Sequence, residues 1–317
     1  MPQRSSWSAD DVPDLQGRTA LITGATRGIG LETAKVLASR GAAVLLGARN
    51  RTRGAAARAQ VRGQAPRAEV VVVPLDLADL ASVEQAAAMI AADHPKLDIL
   101  CNNAGVMGTP LRRTADGFEL QFGTNHLGHF ALTGRLRPQL LAAPAARVVT
   151  VASQNHRMGR LDLDNLDGRA GYRRWQAYGQ SKLANLLFAF ELHRRAEGAS
   201  LGFVSVAAHP GYAGTDLQRV GARMEQAHAR ERAMMVANRL FSQSPHAGAL
   251  PSLYAATAPD VEGGDYIGPD GPGEIRGRPT KVSAARQAYD PELARQLWDA
   301  SEELTGLRFD LPVPAAS

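Results

Sequence analysis

Three side chains set the chemical question. In the stretch AYGQSKLAN, Tyr178 and Lys182 stand four residues apart, and Ser153 lies 25 positions before the tyrosine. On a helix that spacing puts the phenol and the ammonium on one face. Such a pair serves equally well as an ordinary surface contact or as a proton-transfer device. A phenol has a reference pKa of ~10, so ionising it at neutral pH takes about three units, or ~4 kcal/mol. An ammonium ~4 Å away at an effective dielectric of ~20 supplies about that much, while burial works against it. The expectation is that Lys182 brings Tyr178 into a usable acid/base range and that Ser153 holds a substrate oxygen by hydrogen bond.

A second group of residues points to a bound anion. The segment TGATRGIG contains Gly24, Thr26, Arg27, Gly28, Ile29 and Gly30 at a turn from an apolar run into a helical pattern. Glycines there either make a tight connection or let the backbone approach a pyrophosphate seated at a helix N-terminus. The spacing G-x-x-x-G-x-G departs from the G-x-G-x-x-G fingerprint. The next apolar run ends in GARNR, and Arg49 stands where an acidic residue would receive the ribose hydroxyls of NAD. An arginine there, with Arg27 nearby and no acidic residue expected to offset either, suits the 2′-phosphate of NADP. Solvated surface arginines are the plainer reading of each one alone. Asp76 and Leu77 close the third run, Asn103, Ala104 and Gly105 of NNAG the fourth, Ser153 the fifth, and Pro210 and Gly211 of HPGYAGT the sixth. In this arrangement a nicotinamide would exchange hydride with a carbonyl carbon.

These runs are the elements that must carry the site. Apolar segments at 18–24, 42–49, 70–77, 97–105, 146–153 and 201–211, with a short one at 264–268, alternate with helix-length segments. Alternation of this kind predicts a parallel α/β sheet of about seven strands with helices on both faces. VVVVPLDL is unalternating, as a strand buried on both faces should be. After Lys182, the residues Leu183, Leu186, Leu187 and Phe190 follow the helical i, i+3, i+4, i+7 pattern. Every candidate at a strand end then falls at the carboxyl edge, where open α/β sheets bind ligands.

Composition bounds the alternatives. The 317 residues are 44% hydrophobic and 21% charged, as in a soluble globular protein. No apolar run approaches the ~18 residues of a membrane span, and the first residues lack the apolar core of a secretory signal. A cytoplasmic location without an integral membrane segment is the expectation. A single cysteine, Cys101, excludes an internal disulfide and suggests core filling. The net charge of +5 is carried mostly by dispersed arginines, which disfavours a nucleic-acid partner. The only lysines are Lys35, Lys96, Lys182 and Lys281.

Taken together, TGATRGIG, NNAG, Asn125 in GTNHLGHF, Ser153, AYGQSK and HPG resemble a short-chain dehydrogenase/reductase of the classical type, from about residue 17 to 306. The resemblance implies a Rossmann-type doubly wound sheet and an NADP(H)-dependent enzyme, with NADP(H) preferred over NAD(H) on the strength of Arg49. It also implies a role for each matching residue. Tyr178 would be the general acid/base, and Lys182 would bind the nicotinamide ribose and lower the tyrosine pKa. Ser153 would orient the substrate, Asn125 would help order a water in the proton relay, and Thr215 would contact the carboxamide. The long gap between Ser153 and Tyr178, together with NHLGHF, SKLAN and LWDASEELTG, is similar to the branch of retinol dehydrogenases, WW-domain oxidoreductases and protochlorophyllide reductases. That branch implies a lipophilic small-molecule aldehyde, ketone or alcohol as substrate. A homodimer or homotetramer is compatible with the pattern.

One domain is expected over 17–317, with an N-terminal extension (1–16) pinned by Trp7, an insertion at about 155–176 and a helical segment at about 216–250. The Met-bearing part of that segment, 222–241, reads equally as a substrate lid or as a packed helix or dimer contact. His126 and His129 lack the partners of a metal site, and Asp162, Asp164 and Asp167 read as solvated turn carboxylates. A dinucleotide-binding sensor or scaffold without catalysis remains the alternative function, though it would have no need of Ser153, Tyr178 and Lys182 together.

Overall fold

The computed structural model describes residues 7–212 and 243–310. Its sheet has the order β3-β2-β1-β4-β5-β6-β7-β8. The strands are β1 Thr19–Thr23, β2 Ala43–Ala48, β3 Val70–Pro74, β4 Ile99–Asn102, β5 Ala146–Val151, β6 Phe203–Ala208, β7 Tyr266–Pro269 and β8 Pro279–Lys281. All pairings are parallel except β7 with β8. The sheet thus has eight strands rather than the expected seven. The extra one is a three-residue edge strand opened by proline, a place where a missing N–H costs nothing because that edge has no neighbour.

Successive side chains along each inner strand enter two different apolar clusters, although nearly every position is buried. Ala20, Ile22, Val44, Leu46, Ile99, Cys101, Val149 and Val206 belong to one apolar cluster. Their immediate neighbours Leu21, Leu45, Leu100 and Val148 belong to another. Successive side chains on a strand point to opposite faces, so both faces are buried and each run must be apolar throughout. Helices α1 (Gly28–Ser39) and α2 (Arg51–Gln64) cover the first face. They are joined there by α8 (Pro245–Thr257), which packs against α1. The second face carries α3 (Leu80–Asp93), α5 (Gly128–Arg135) and α7 (Arg174–Gly198). Two short helices, α4 (Leu120–Phe122) and α6 (Arg137–Ala142), lie before and after α5, and α9 (Pro291–Thr305) packs on α7.

Of the three expected additions, the insertion and residues 7–16 of the extension are structured as part of the body. Trp7 packs edge-on against Tyr254 of α8 with ring centres 5.1 Å apart, pinning the extension as expected. The insertion after β5 consists of loop with two short 3₁₀ turns, and its last residues are the first turn of α7. It is fastened by Gln121, whose amide donates to the Tyr172 hydroxyl at 2.8 Å and to Arg174 O at 2.9 Å. Thr215 and residues 216–242 of the expected lid lie outside the described residues. The remainder of that stretch is not lid: from Pro245 it is the start of α8, with Ala249 and Leu253 in the core.

The chain crosses from one side of the sheet to the other between β1 and β4, and one hydroxyl ties the two strand ends together there. Thr23 Oγ1 accepts from Asn103 N and from Ala104 N, each at 2.9 Å. It also stands 2.9 Å from His129 Nε2. The Asn125 carbonyl can only accept, and His129 Nδ1 lies 2.9 Å from it, so Nδ1 carries the ring proton and Nε2 receives the Thr23 hydrogen. Burial lowers the His129 pKa to about 4, which keeps the ring neutral in this role. Replacing Thr23 by Val keeps the shape, orphans the Ala104 N–H and a ring nitrogen, and leaves the Asn103 N–H only Cys101 O, at 2.9 Å. We expect Thr23→Val to lose at least about 2 kcal/mol of unfolding free energy in urea, and Thr23→Ser, which keeps the oxygen, to lose less than half as much.

Candidate active site

A cavity of about 740 Å³ opens along the carboxyl ends of β1 to β6, at the crossover between β1 and β4. One end is built from the loop after β1. Gly24 has φ +67° and Gly28 has φ +58°, the left-handed region that glycine enters without penalty. A Cβ on Gly24 would lie 2.9 Å from Ala104 Cα, and one on Gly30 would lie 2.5 Å from Asn103 Nδ2. These two glycines therefore let the β1 loop press against NNAG, and Asn103 seals the contact by donating to Thr23 O at 2.7 Å. No side chain caps α1, so its first turn offers N–H groups to an anion in the cavity. Thr26, Arg27, Gly28 and Ile29 line the wall at that point.

Arg49 lines the same end, with Asp76, Leu77, Asn103, Ala104 and Gly105. The expectation that no acidic residue offsets Arg49 needs correction. Its Nη1 lies 3.8 Å from Asp76 Oδ2, because β2 and β3 are neighbours and their ends meet. The Arg49 side chain is still 71% exposed, so this contact is weak and leaves the guanidinium able to turn to a phosphate. Sequence reasoning missed Arg53, which also lines the cavity from the first turn of α2, and Asn50, which caps that helix by accepting from Arg53 N at 2.9 Å. The arginine-rich run GARNRTR was the available signal. These donors fit a dinucleotide: uncapped N–H groups for the pyrophosphate, and guanidinium groups at the far end for a further phosphate.

The other end holds the proton-transfer candidates. Tyr178 is buried and its side chain hydrogen-bonds to Ser153, whose Oγ also accepts from Asn155 N at 3.2 Å. Lys182 Nζ lies 5.9 Å from the centre of the Tyr178 ring and donates to Val151 O at 2.9 Å. Asn185, a further residue of the same helix, donates to the same carbonyl at 3.0 Å. Burial pushes the Tyr178 phenol up to about 12, with the Ser153 hydrogen bond pulling it back by less. Burial also lowers the Lys182 ammonium to about 8. The expected lowering of the phenol by Lys182 is therefore not met by the chain on its own, because desolvation outweighs an ammonium at this distance.

Asn125 stands one layer behind the cavity wall, on a π-helical turn, Gly123–Leu127, between α4 and α5. Its amide is spent on protein. Oδ1 accepts from Val106 N at 2.8 Å, and Nδ2 donates to Val106 O and to Ser181 Oγ, each at 2.9 Å. His129 takes its backbone carbonyl. Gly179, next to Tyr178, is required by packing: a Cβ there would come 2.8 Å from Asn155 O and 2.9 Å from Gly159 N. The insertion can thereby lie directly on the start of α7. Pro210 and Gly211 border the same cavity, as do Trp175, Gln154, Glu274 and Ile275, none of which the sequence singled out. A shallower hollow of about 630 Å³ between Met158 and Tyr172–Gln176 shares Trp175 with it. His126 does not join His129: it meets Ser301 Oγ at 2.8 Å among aromatic rings. No group of three potential metal ligands exists among the described residues. Cys101 is buried, and its thiol is pushed up to about 12, as suits core filling.

Comparison with known proteins agrees with this geometry. Residues 18–226 match the family profile described as short chain dehydrogenase. Retinol dehydrogenase 14 of Mus musculus is 38% identical over 308 residues, which cover 92% of this chain and 87% of the mouse protein. Polyprenol dehydrogenase of Mus musculus is 39% identical over 309 residues, covering 96% and 88%. A crystal structure of an uncharacterized protein from Mycobacterium Paratuberculosis superposes with a TM-score of 0.79 at 41% identity, covering 97% of this chain and 100% of that one. The sheet order, the glycine loop at its crossover and these relatives, aligned along nearly the whole chain, place the protein in the short-chain dehydrogenase family, on its retinol dehydrogenase branch.

Proposed function

We propose that this dehydrogenase/reductase uses NADP(H) in preference to NAD(H) and moves hydride between the nicotinamide and a carbonyl or alcohol on a lipophilic small molecule, with Tyr178 as general acid/base. The observation that carries the proposal is the buried Tyr178–Ser153 hydrogen bond beside Lys182, on the wall of the cavity that also contains the glycine loop. When bound, the cofactor supplies the hydride, for which the chain has no group of its own. Ser153 Oγ holds the substrate oxygen, and the Tyr178 hydroxyl gives it a proton. With its pKa near 12 the phenol is protonated at neutral pH, which favours carbonyl reduction. Alcohol oxidation needs the phenolate, and the positive charge of an oxidised nicotinamide would assist it. Lys182 spends one donor on Val151 O, and its remaining N–H groups are suited to ribose hydroxyls.

The nucleotide preference is supported by Arg49 and Arg53 at the cavity's polar end, with Arg27 on the loop between. The substrate class is supported by Trp175 and Ile275 at the other end and by what the relatives' names say they act on, retinol and polyprenol. A sensor without catalysis would have no use for a tyrosine buried against a serine and a lysine.

Arg49→Asp should weaken NADPH binding by about tenfold to a hundredfold and raise NADH binding relative to it, as titrated by nucleotide fluorescence; an unchanged ratio of affinities would contradict the preference. Tyr178→Phe should lower carbonyl-reduction turnover by about 10²–10⁴-fold while NADPH affinity stays within about twofold. Because the Lys182 charge is lost as pH rises through about 8, reductive kcat/KM should be flat near neutrality and fall above that pH. A rate that climbs steadily through this range would exclude an ammonium requirement.

A further inference from the structure

Glu274 brings a carboxylate to the cavity wall that the proton-transfer scheme does not use. It ends the short turn Pro272–Glu274 after β7, where Gly273 has φ +63° and Glu274 itself has φ +55°. Two consecutive left-handed residues suit the glycine and strain the glutamate, and such strain persists where the surroundings hold it in place. Here they do. Glu274 Oε2 lies 2.8 Å from His209 Nε2, accepts from Gln154 Nε2, and has Arg157 on its other side, with Nη2 3.5 Å from Oε1. One carboxylate thus joins the loop after β7 to the residue that follows Ser153 and to the end of β6.

The His209 ring is fully buried, and burial, followed by His156 and Arg157, lowers its pKa to about 3. It therefore carries one proton, and two contacts decide where. Gly211 N–H donates to Nδ1 at 3.2 Å, so Nδ1 presents its lone pair and Nε2 carries the hydrogen, which goes to Glu274. The Gln154 amide nitrogen lies 3.3 Å from Nε2, and in this tautomer the two are donors converging on the same carboxylate oxygen. Without the carboxylate, that amide becomes a donor to Nε2 and favours the opposite tautomer. Nδ1–H would then face the Gly211 N–H, two donors in opposition. Gly268 completes the seat, because a Cβ there would collide with the ring.

We propose that Glu274 is a positioning residue that fixes His209 in the Nε2–H tautomer, so that Nδ1 holds the Gly211 N–H and sets the Pro210–Gly211 turn where it borders the cofactor cavity. Only the consequence for nucleotide affinity rests on the dinucleotide reading; the tautomer itself does not. The test is ¹⁵N–¹H NMR of the full chain labelled at histidine, without nucleotide, with His209 assigned from His209→Asn, followed by NADPH titration. Wild-type protein should show a protonated Nε2 and a bare Nδ1. Glu274→Ala should shift the ring toward Nδ1–H and weaken NADPH binding about three- to tenfold. Glu274→Gln, whose carbonyl oxygen can still accept from Nε2–H, should retain the wild-type tautomer and bind NADPH within about twofold. Should the alanine variant fail to fold, Glu274→Asp should move the same signals in the same direction by less. An unmoved tautomer in Glu274→Ala, a moved tautomer with unchanged NADPH affinity, or equal impairment of the Gln and Ala variants would overturn the proposal. Wild-type protein that binds no NADPH would instead sink the dinucleotide reading, and the tautomer measurement would still decide the role of Glu274.

Discussion

The cavity depends on how β1 and β4 are held at the crossover of the sheet. Adjacent strands at such a point send their following segments to opposite faces, and the gap that opens between them is where α/β folds bind ligands. Of the N–H groups that follow β4, that of Ala104 would have no partner if left alone, and that of Asn103 only Cys101 O, two residues back. Thr23 Oγ1 accepts from both at once and passes its own hydrogen to His129. Through His129 the same oxygen is linked to the Asn125 carbonyl, and through the Asn125 amide to Ser181 on the helix that carries Tyr178 and Lys182. A single buried network therefore sets the glycine loop, NNAG and the helix of Tyr178 and Lys182 relative to one another. Every member is neutral, so the network does not titrate as the charges in the cavity change.

The chemistry at the other end is governed by desolvation. Burial drives Tyr178 up and Lys182 down, in each case toward the uncharged form. The two shifts share one cause, a site dry enough to strengthen electrostatic interactions with whatever charge enters it. In the proposed reaction the protein holds a protonated acid next to an ammonium that is close to losing its proton. A phenol held near 12 gives up its proton at neutral pH only to a group that forms a strong base or in the presence of a strong nearby positive charge, so proton transfer is tied to the reaction itself. A solvent-exposed Tyr–Lys pair of the same spacing would feel such a charge far less.

The sheet was legible in the sequence wherever strands are buried on both faces, because that burial forces unbroken apolar runs such as ALIT and VLL; the edge strand β3 keeps such a run, VVVV, with its middle valines only partly buried. The edge strand β8 has neither length nor an apolar run, and proline opens it, so nothing marks it. Most of the site was legible for a related reason: strand ends are easy to place, and Gly24, Arg49, Asn103, Ser153 and Gly211 each fall at one. What could not be read depends on distances between elements far apart in the chain. The Arg49–Asp76 contact requires β2 and β3 to be neighbours, and Glu274 meets Gln154 only because β7 follows β6 in the sheet. The sign of the Tyr178 shift was misjudged because spacing reports which groups are near and not how deeply they are buried. The π-helical turn at Asn125 leaves no trace in the apolar periodicity, which the helix keeps on either side of it.

The two ends of the cavity differ in a way that constrains the proposed ligands. Arg27, Arg49 and Arg53 make one end cationic, and uncapped helix N–H groups continue that field to the turn of α1. Toward Trp175 and Ile275 the wall gains apolar groups, with the Glu274 carboxylate among them held by His209 and Gln154. An anionic nucleotide placed the other way round would leave its phosphates against an indole and an alkyl chain, losing hydration without replacement. A lipophilic substrate at the arginine end would strip water from guanidinium groups and give them no acceptor. In the proposed reading this difference favours the nucleotide phosphates at the arginine end and the apolar part of the substrate toward Trp175, with the Ser153–Tyr178 hydrogen bond between them.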